Sequence, residues 1–266
     1  MVIQLETNLE KLRASAPLVH NITNFVVMNF TANALLAVGA SPVMAHAVEE
    51  VEDMVSIAGA LVINIGTLSA HWVEAMKLAM KKAAELGKPI VLDPVGAGAT
   101  PYRNKVLTEL LEAAPPTIIR GNGSEILALA GTSIRTKGVD STADSMDSIG
   151  AAHALSARFG SVVSVSGAVD VIVHGGRSGW VSNGVPLMTK VTGMGCSASA
   201  IAGAFAAICS DPFEAAVSAA ATMGVCGELA YRNAKLPGSF QIAFLDKLAE
   251  VSAAHLAEVS KIRFEG

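Results

Sequence analysis

The alternation of short apolar runs with longer helix-like segments is the feature that most constrains the fold of this chain. The runs are rich in Val, Ile and Leu, and the clearest lie at residues 18–20, 60–65, 89–92, 117–119 and 162–165. Strands that are apolar throughout are buried on both faces, as in parallel sheets covered by helices. We therefore expect an α/β fold with three layers, αβα, around a mainly parallel central sheet.

The rest of the chain adds a hairpin, a loop and more helices. Residues 169–184 predict a β-hairpin, and the polar, Gly-punctuated residues 131–141 predict a loop. No linker-like segment divides the chain, so residues 1–266 predict a single domain. Later helices are expected at residues 143–159, 197–207, 211–229 and 240–258.

Composition excludes several classes of function. A net charge of −4 over 266 residues does not favour a nucleic-acid groove or an anionic membrane surface. No apolar run approaches the roughly 20 residues that a bilayer-spanning helix needs. The three cysteines have no metal-site spacing, which indicates free thiols in a reducing cytoplasm. The 52% hydrophobic content exceeds what one core explains, which points to a subunit interface.

Polar residues or glycines follow most of the predicted strands. Because parallel strands end at one edge of a sheet, these clusters should meet there and form a ligand site. Helix capping is the alternative for some of them: Asn21 taken alone most simply caps the helix expected at residues 25–38, and Asn122 with Glu125 has capping-box spacing. The clusters lie at residues 21–24, 66–67, 93–98, 120–125 and 166–167.

Residues 191–200, V-T-G-M-G-C-S-A-S-A, combine two glycines with the start of a helix of small residues. Free amides and the helix dipole make such a start an anion site, and Cys196 faces it. The plainer alternative is a turn that begins a core helix. With Arg120, Asp93 and Glu125 at strand ends, the chain has the groups that Mg²⁺-dependent phosphoryl transfer requires.

These motifs resemble those of the hydroxyethylthiazole kinases, within the ribokinase-like superfamily. The resemblance implies phosphorylation of the hydroxyl of 4-methyl-5-(2-hydroxyethyl)thiazole by ATP, a salvage step towards thiamine, in a homotrimer with active sites at subunit interfaces. It covers nearly the whole chain and rests on residues 191–200 together with residues 20–24, 40–44, 64–67, 92–98 and 120–125.

The same resemblance implies roles for individual residues. Cys196 would be the catalytic residue, at the position where the wider superfamily carries an aspartate base. It could act as a thiolate base at the helix N-terminus or merely position the hydroxyl, and we expect mainly positioning. The other implied contacts are Met44, Gly193 and Asn24 with the thiazole, Arg120, Ser166 and Gly195 with ATP, and Asp93 and Glu125 with Mg²⁺.

Two other functions compete with this one. A different ribokinase-like activity, such as hydroxymethylpyrimidine kinase or nicotinamide-hydrate dehydratase, is disfavoured by Cys196 and by residues 21–44. A non-catalytic thiazole- or nucleotide-binding protein is the alternative from another class. It is disfavoured because Asp93, Arg120 and Glu125 are all present beside the glycine-rich turn.

Overall fold

A single mixed sheet forms the middle layer of the protein, whose computed structural model describes residues 3–133 and 145–265. The sheet order is β2-β1-β3-β4-β5-β6-β7-β8-β9, parallel from β2 to β6 and antiparallel from β6 onwards. The strands are β1 Leu18–Ile22, β2 Ser41–Val43, β3 Ala60–Asn64, β4 Ile90–Asp93, β5 Ile118–Asn122, β6 Val162–Ser166, β7 Asp170–His174, β8 Arg177–Val181 and β9 Ile262–Glu265.

Helices cover both faces of the sheet, which confirms the predicted three-layer arrangement. Apolar side chains alternate along each strand and so supply two separate cores, one per face. The helices are α1 Leu5–Ser15, α2 Met28–Val38, α3 Val51–Ile57, α4 Ala70–Glu85, α5 Pro101–Ala113, α6 Gly123–Ser133, α7 Ser145–Phe159, α8 Met194–Ala206, α9 Pro212–Asn233, α10 Pro237–Glu250 and α11 Ala253–Val259.

Side-chain caps explain why several helices begin where they do. Ser69 accepts a hydrogen bond from the amide of Trp72 at the start of α4, and Thr100 caps α5 in the same way. Asp211 caps α9, in which Pro212 occupies the first turn. The caps of α4 and α5 lie in the loops that follow β3 and β4 at the carboxyl edge of the sheet.

The structure differs from the sequence prediction in several elements. Residues 131–133, expected in a loop, extend α6, and residues 134–144 lie outside the described part of the chain. The helix expected at 240–258 is two helices, α10 and α11, and strand β9 was not predicted. Because β9 has exposed residues at alternate positions, its four-residue pattern was too weak to recognise.

In the described residues, no helix is long and apolar enough to cross a membrane. Most of the apolar side chains that the structure describes are buried in the two cores, and α8 is an example. It is built from small residues, and its described side chains from Ser197 to Ala206 are all buried. A helix of small residues lies close to the sheet, which brings its N-terminus next to the strand ends.

Candidate active site

The carboxyl ends of β3 and β4 place two polar side chains next to each other. Asn64 and Asp93 end these strands and are paired in the parallel register. The Asn64 Nδ2 atom donates to Asp93 Oδ2 at 2.9 Å, and both side chains are buried. The predicted meeting of strand ends therefore occurs, with a side-chain bond between neighbouring strands.

Asn24 links this pair to Cys196. Its Nδ2 atom donates to Asn64 Oδ1 at 2.9 Å and lies 3.5 Å from Cys196 Sγ. The alternative that Asn21 caps the next helix is wrong. Helix α2 begins at Met28 without a side-chain cap, and Asn21 instead donates to the carbonyl of Val19.

Asp93 is held in a setting that disfavours its charge. Ser199 Oγ donates to the same Oδ2 atom at 2.7 Å that accepts from Asn64. Burial raises the pKa of Asp93 to about 7, although the nearby charge of Arg120 lowers it in part. The carboxyl group is therefore poised between its neutral and charged forms near neutral pH.

Cys196 lies in the first turn of α8, because this helix begins at Met194 rather than after the cysteine. Gly193, the residue before the helix, has a φ of +88°, a left-handed conformation that glycine adopts without strain. Burial, followed by the charge of Asp93, raises the pKa of Cys196 to about 11. A helix N-terminus favours a thiolate, but here burial dominates, so Cys196 is a neutral thiol near pH 7.

Arg120 faces the start of α8 from β5. Its Nη1 atom donates to the carbonyl of Gly195 at 3.1 Å. Amides in the first turn have no partner within a helix, so the backbone of Gly195 and Cys196 presents donors beside a guanidinium group. This arrangement is suited to stabilising a phosphoryl group.

Glu125, at the start of α6, accepts hydrogen bonds from two backbone amides. Its Oε2 atom accepts from the amide of Asn122 at 2.9 Å, and Asn122 Oδ1 accepts from the amide of Glu125, so the capping-box alternative is confirmed. Glu125 Oε1 accepts from the amide of Gly96, which ties the loop after β4 to α6. Its charge also raises the pKa of Asp93, so the two carboxylates are neighbours.

This donor set fits Mg²⁺ better than a metal enclosed by protein ligands. The described residues contain no group of three or more His, Cys, Asp or Glu side chains able to hold a metal. Mg²⁺ keeps several water ligands and is typically held by one or two carboxylates together with substrate phosphates. Asp93 and Glu125 are two such carboxylates, and both hydrogen bonds of Asp93 use one of its two oxygens.

A cavity of about 870 Å³ adjoins these groups on the face covered by α6 and α7. Gly98 and Ser124 line it, and so does Ser166, which the sequence predicts as an ATP contact. Arg120 is not among the residues that line the cavity and instead faces Gly195. The structure therefore divides the three predicted ATP contacts, since Ser166 lines the cavity whereas Arg120 and Gly195 meet at the start of α8.

The other two predicted thiazole contacts, Gly193 and Met44, lie on different elements from Asn24. Gly193 precedes α8 directly, and a Cβ atom added there would lie 3.1 Å from Val27. Met44 follows β2, the edge strand, and is half-buried. Because β1 lies between β2 and β3, Met44 is two strands away from Asn64 along the same edge of the sheet.

Sequence reasoning assigned no role to Asn64, Ser199 and Arg103. Asn64 ends a buried strand just as Asp93 does, and that parallel was a usable signal. Ser199 follows Cys196 by three residues, so it shares a helix face with it. Arg103 had no such signal, since the guanidinium group reaches across loops to the carbonyls of Ile65, Gly66 and Val95.

Comparisons with known proteins identify the family of this chain. The sequence model of the hydroxyethylthiazole kinase family matches residues 9–254. The hydroxyethylthiazole kinase of Leptospira biflexa is 58% identical over 246 residues, which are 92% of this chain and 92% of that relative.

Solved structures show the same relationship. The structure of the hydroxyethylthiazole kinase protein from Pyrococcus horikoshii superposes with a TM-score of 0.92 at 45% identity, over 98% of this chain and 99% of that one. A ribokinase-like superfamily protein from Enterococcus faecalis gives a TM-score of 0.63 at 15% identity, over 92% and 90% of the two chains, which supports the fold alone. The fold is therefore ribokinase-like, as predicted, and this protein belongs to the hydroxyethylthiazole kinase family.

Proposed function

We propose that this protein transfers the γ-phosphoryl group of ATP to the hydroxyl of 4-methyl-5-(2-hydroxyethyl)thiazole, a step of thiamine biosynthesis. The observation that carries the proposal is the position of Cys196. The thiol lies in the first turn of α8, next to the Asn24 amide and close to Asp93. An alcohol placed there would face both the helix N-terminus and Arg120.

The thiol of Cys196 serves to position the alcohol. With a pKa raised to about 11 it stays protonated, so it can donate a hydrogen bond and accept one, as from Asn24. Phosphoryl transfer has a loose transition state that demands little of a base, so a neutral thiol is sufficient. On the thiazole side, we assign Met44, Gly193 and Asn24 as contacts.

Arg120 and the amides at the start of α8 stabilise the negative charge on the transferring group. Their donors are fixed before reaction by the fold, and preorganised donors lower the barrier because they need no rearrangement. Gly195 supplies one of these amides, and its carbonyl holds Arg120 in place at 3.1 Å. Ser166 contacts the nucleotide from the cavity wall.

Asp93 and Glu125 are the residues that would hold Mg²⁺, directly or through water. The metal would neutralise charge on the phosphate oxygens. The backbone amides of Asn122 and Gly96 donate hydrogen bonds that fix the Glu125 carboxylate, and the side chains of Asn64 and Ser199 donate hydrogen bonds that fix Asp93. The chain's own hydrogen bonds therefore orient both carboxylates, which reduces the cost of ordering them when a metal binds.

We also propose that the protein is a homotrimer of single-domain subunits, each formed by residues 1–266, with active sites at the interfaces. Phe25 and Val26 are 67% and 63% exposed and directly follow Asn24, which supports an interface beside the site. A location in the cytoplasm remains a prediction, which three free cysteines support. Light scattering of the purified protein measures the number of subunits.

The test of the activity is steady-state ADP release with ATP, Mg²⁺ and the thiazole alcohol, run beside hydroxymethylpyrimidine. We expect turnover with the thiazole alcohol and none with the pyrimidine. Asp93→Asn, purified identically, controls for contaminating kinases and should lose activity. Turnover with the pyrimidine alone would favour the competing kinase. Nucleotide binding without any turnover would favour a binding protein.

A further inference from the structure

The cavity beside the site extends well beyond the groups that would hold phosphates. Its lining includes Gly123 and Ser124 at the start of α6, beside β5, and also Trp180 on β8 and Arg263 on β9. Because β8 and β9 lie three and four strands beyond β5 in the sheet, these two pairs lie at opposite ends of the cavity. The two ends differ in chemistry, since the first offers the backbone of a helix N-terminus and the second offers flat side chains. Under the proposed function the nucleotide binds in this cavity, and the inference rests on that function.

Trp180 and Arg263 form one structural unit. They are directly paired across the antiparallel strands β8 and β9, so both side chains leave the same face of the sheet. The guanidinium carbon of Arg263 lies 4.5 Å from the centroid of the indole ring of Trp180. Arg263 also forms an exposed ion pair with Glu265, at 3.3 Å.

The position of this pair matches the length of a nucleotide. Ser166 ends β6, and Trp180 lies on β8, two strands further along the sheet. Adjacent strands are about 4.8 Å apart, so the pair is on the order of 10 Å from the Ser166 end. A nucleotide whose phosphates lie near Ser124 and Ser166 would reach this distance with its ribose and base.

We propose that the Trp180–Arg263 pair is the wall against which the nucleobase packs, and so determines affinity for the base of the phosphoryl donor. Aromatic rings and guanidinium planes both stack on the flat face of a base. Among the described residues that line the cavity, Arg263 is the single charged one. Apolar side chains such as Val171 and Ile149 also line the cavity.

The test compares ADP with pyrophosphate, which has the same two phosphates but no base. Binding of each to the parent, Trp180→Ala and Arg263→Ala proteins is measured by calorimetry with Mg²⁺ present. Loss of a base-stacking contact weakens binding by about ten- to a hundredfold. We expect that loss for ADP in both variants and unchanged binding of pyrophosphate. Arg158→Ala is the matched control, since Arg158 also covers a ring, that of Phe159, but does not line the cavity.

Fluorescence provides a second measurement that does not depend on a destabilising substitution. The chain has two tryptophans, so Trp180 is the single tryptophan in a Trp72→Phe background. We expect ADP to change the emission of Trp180 and pyrophosphate to leave it unchanged. Thermal unfolding of every variant identifies any that do not fold, and Trp180→Leu then replaces Trp180→Ala.

Three results would overturn the inference. Equal losses for ADP and pyrophosphate, reversed by Arg263→Lys, would show that Arg263 acts through charge alone. Unchanged ADP affinity in folded variants, or an emission of Trp180 that does not respond to ADP, would place the base elsewhere. Thiazole-dependent turnover of the parent protein is scored separately, so either proposal can fail while the other stands.

Discussion

Replacing Asp93 with Asn should stabilise the protein while abolishing its activity. Both side-chain donors to Asp93, Asn64 Nδ2 and Ser199 Oγ, bond to the single atom Oδ2. The amide oxygen of an asparagine can accept both of these bonds, and the shape of the side chain is kept. The substitution therefore removes one buried charge with little change in packing.

The magnitude follows from the pKa of Asp93, which burial raises from 3.8 to about 7. Between these values the folded protein holds a proton that the unfolded chain has released, so the free energy of unfolding falls as the pH rises. At about 1.4 kcal/mol for each pH unit, the buried carboxylate costs roughly 4 kcal/mol at pH 8 and about 1–2 kcal/mol at pH 5. Asp93→Asn removes this cost and should gain most at pH 8.

Urea unfolding without Mg²⁺, at pH 5 and at pH 8, measures the effect. The control is Asp211→Asn. The hydrogen bond from Arg177 lowers the pKa of Asp211, so its carboxylate stabilises the fold above the unfolded pKa, and this variant should lose stability at pH 8. A gain for Asp93→Asn that is the same at both pH values, or no gain at pH 8, would refute the burial argument.

Four further substitutions, at three positions, test the groups around Asp93. Cys196→Asp should retain kinase activity. The kcat of Cys196→Ala should fall by less than the roughly 100-fold loss that marks removal of a general base. Complete loss of activity in a folded Cys196→Asp protein would contradict the assignment of Cys196. Asn64→Leu removes hydrogen bonds to Asn24, Gly66 and Asp93 and should lower the free energy of unfolding in urea by about 2–4 kcal/mol. A decrease below about 1 kcal/mol would show that these hydrogen bonds do not stabilise the fold. Gly66→Ala would place a Cβ atom 2.6 Å from Asn24 Nδ2, so kcat should fall with a small change in Tm, and unchanged kcat would separate Asn24 from catalysis.

Much of the fold was predictable because its signals are local. The apolar runs at β1, β3, β4, β5 and β6 are strands, and the sheet is parallel where they meet. Short elements with weak patterns were not predictable in the same way. Strand β9 is stabilised by pairing with β8 rather than by its own residues, and that partner is distant in the sequence.

Individual site residues were harder to interpret than the location of the site. Asn24 could equally have been a helix cap, and Glu125 is in fact a cap as well as a neighbour of Asp93. A cap and a ligand-binding group use the same side-chain atoms, so sequence alone does not separate them. The roles proposed for these residues in binding thiazole, ATP and Mg²⁺ remain predictions.

The sequence by itself determined the family, the α/β class and the edge of the sheet at which the polar residues gather. These follow from motifs and from strand and helix periodicity, which short stretches of chain contain completely. Tertiary structure alone decided the ionisation of the site. The pKa of Cys196 rises to about 11 and that of Asp93 to about 7 because α8 and the strand ends remove both from water. Burial depends on segments distant in the chain, so no local pattern could have shown that the cysteine at the helix N-terminus is a neutral thiol.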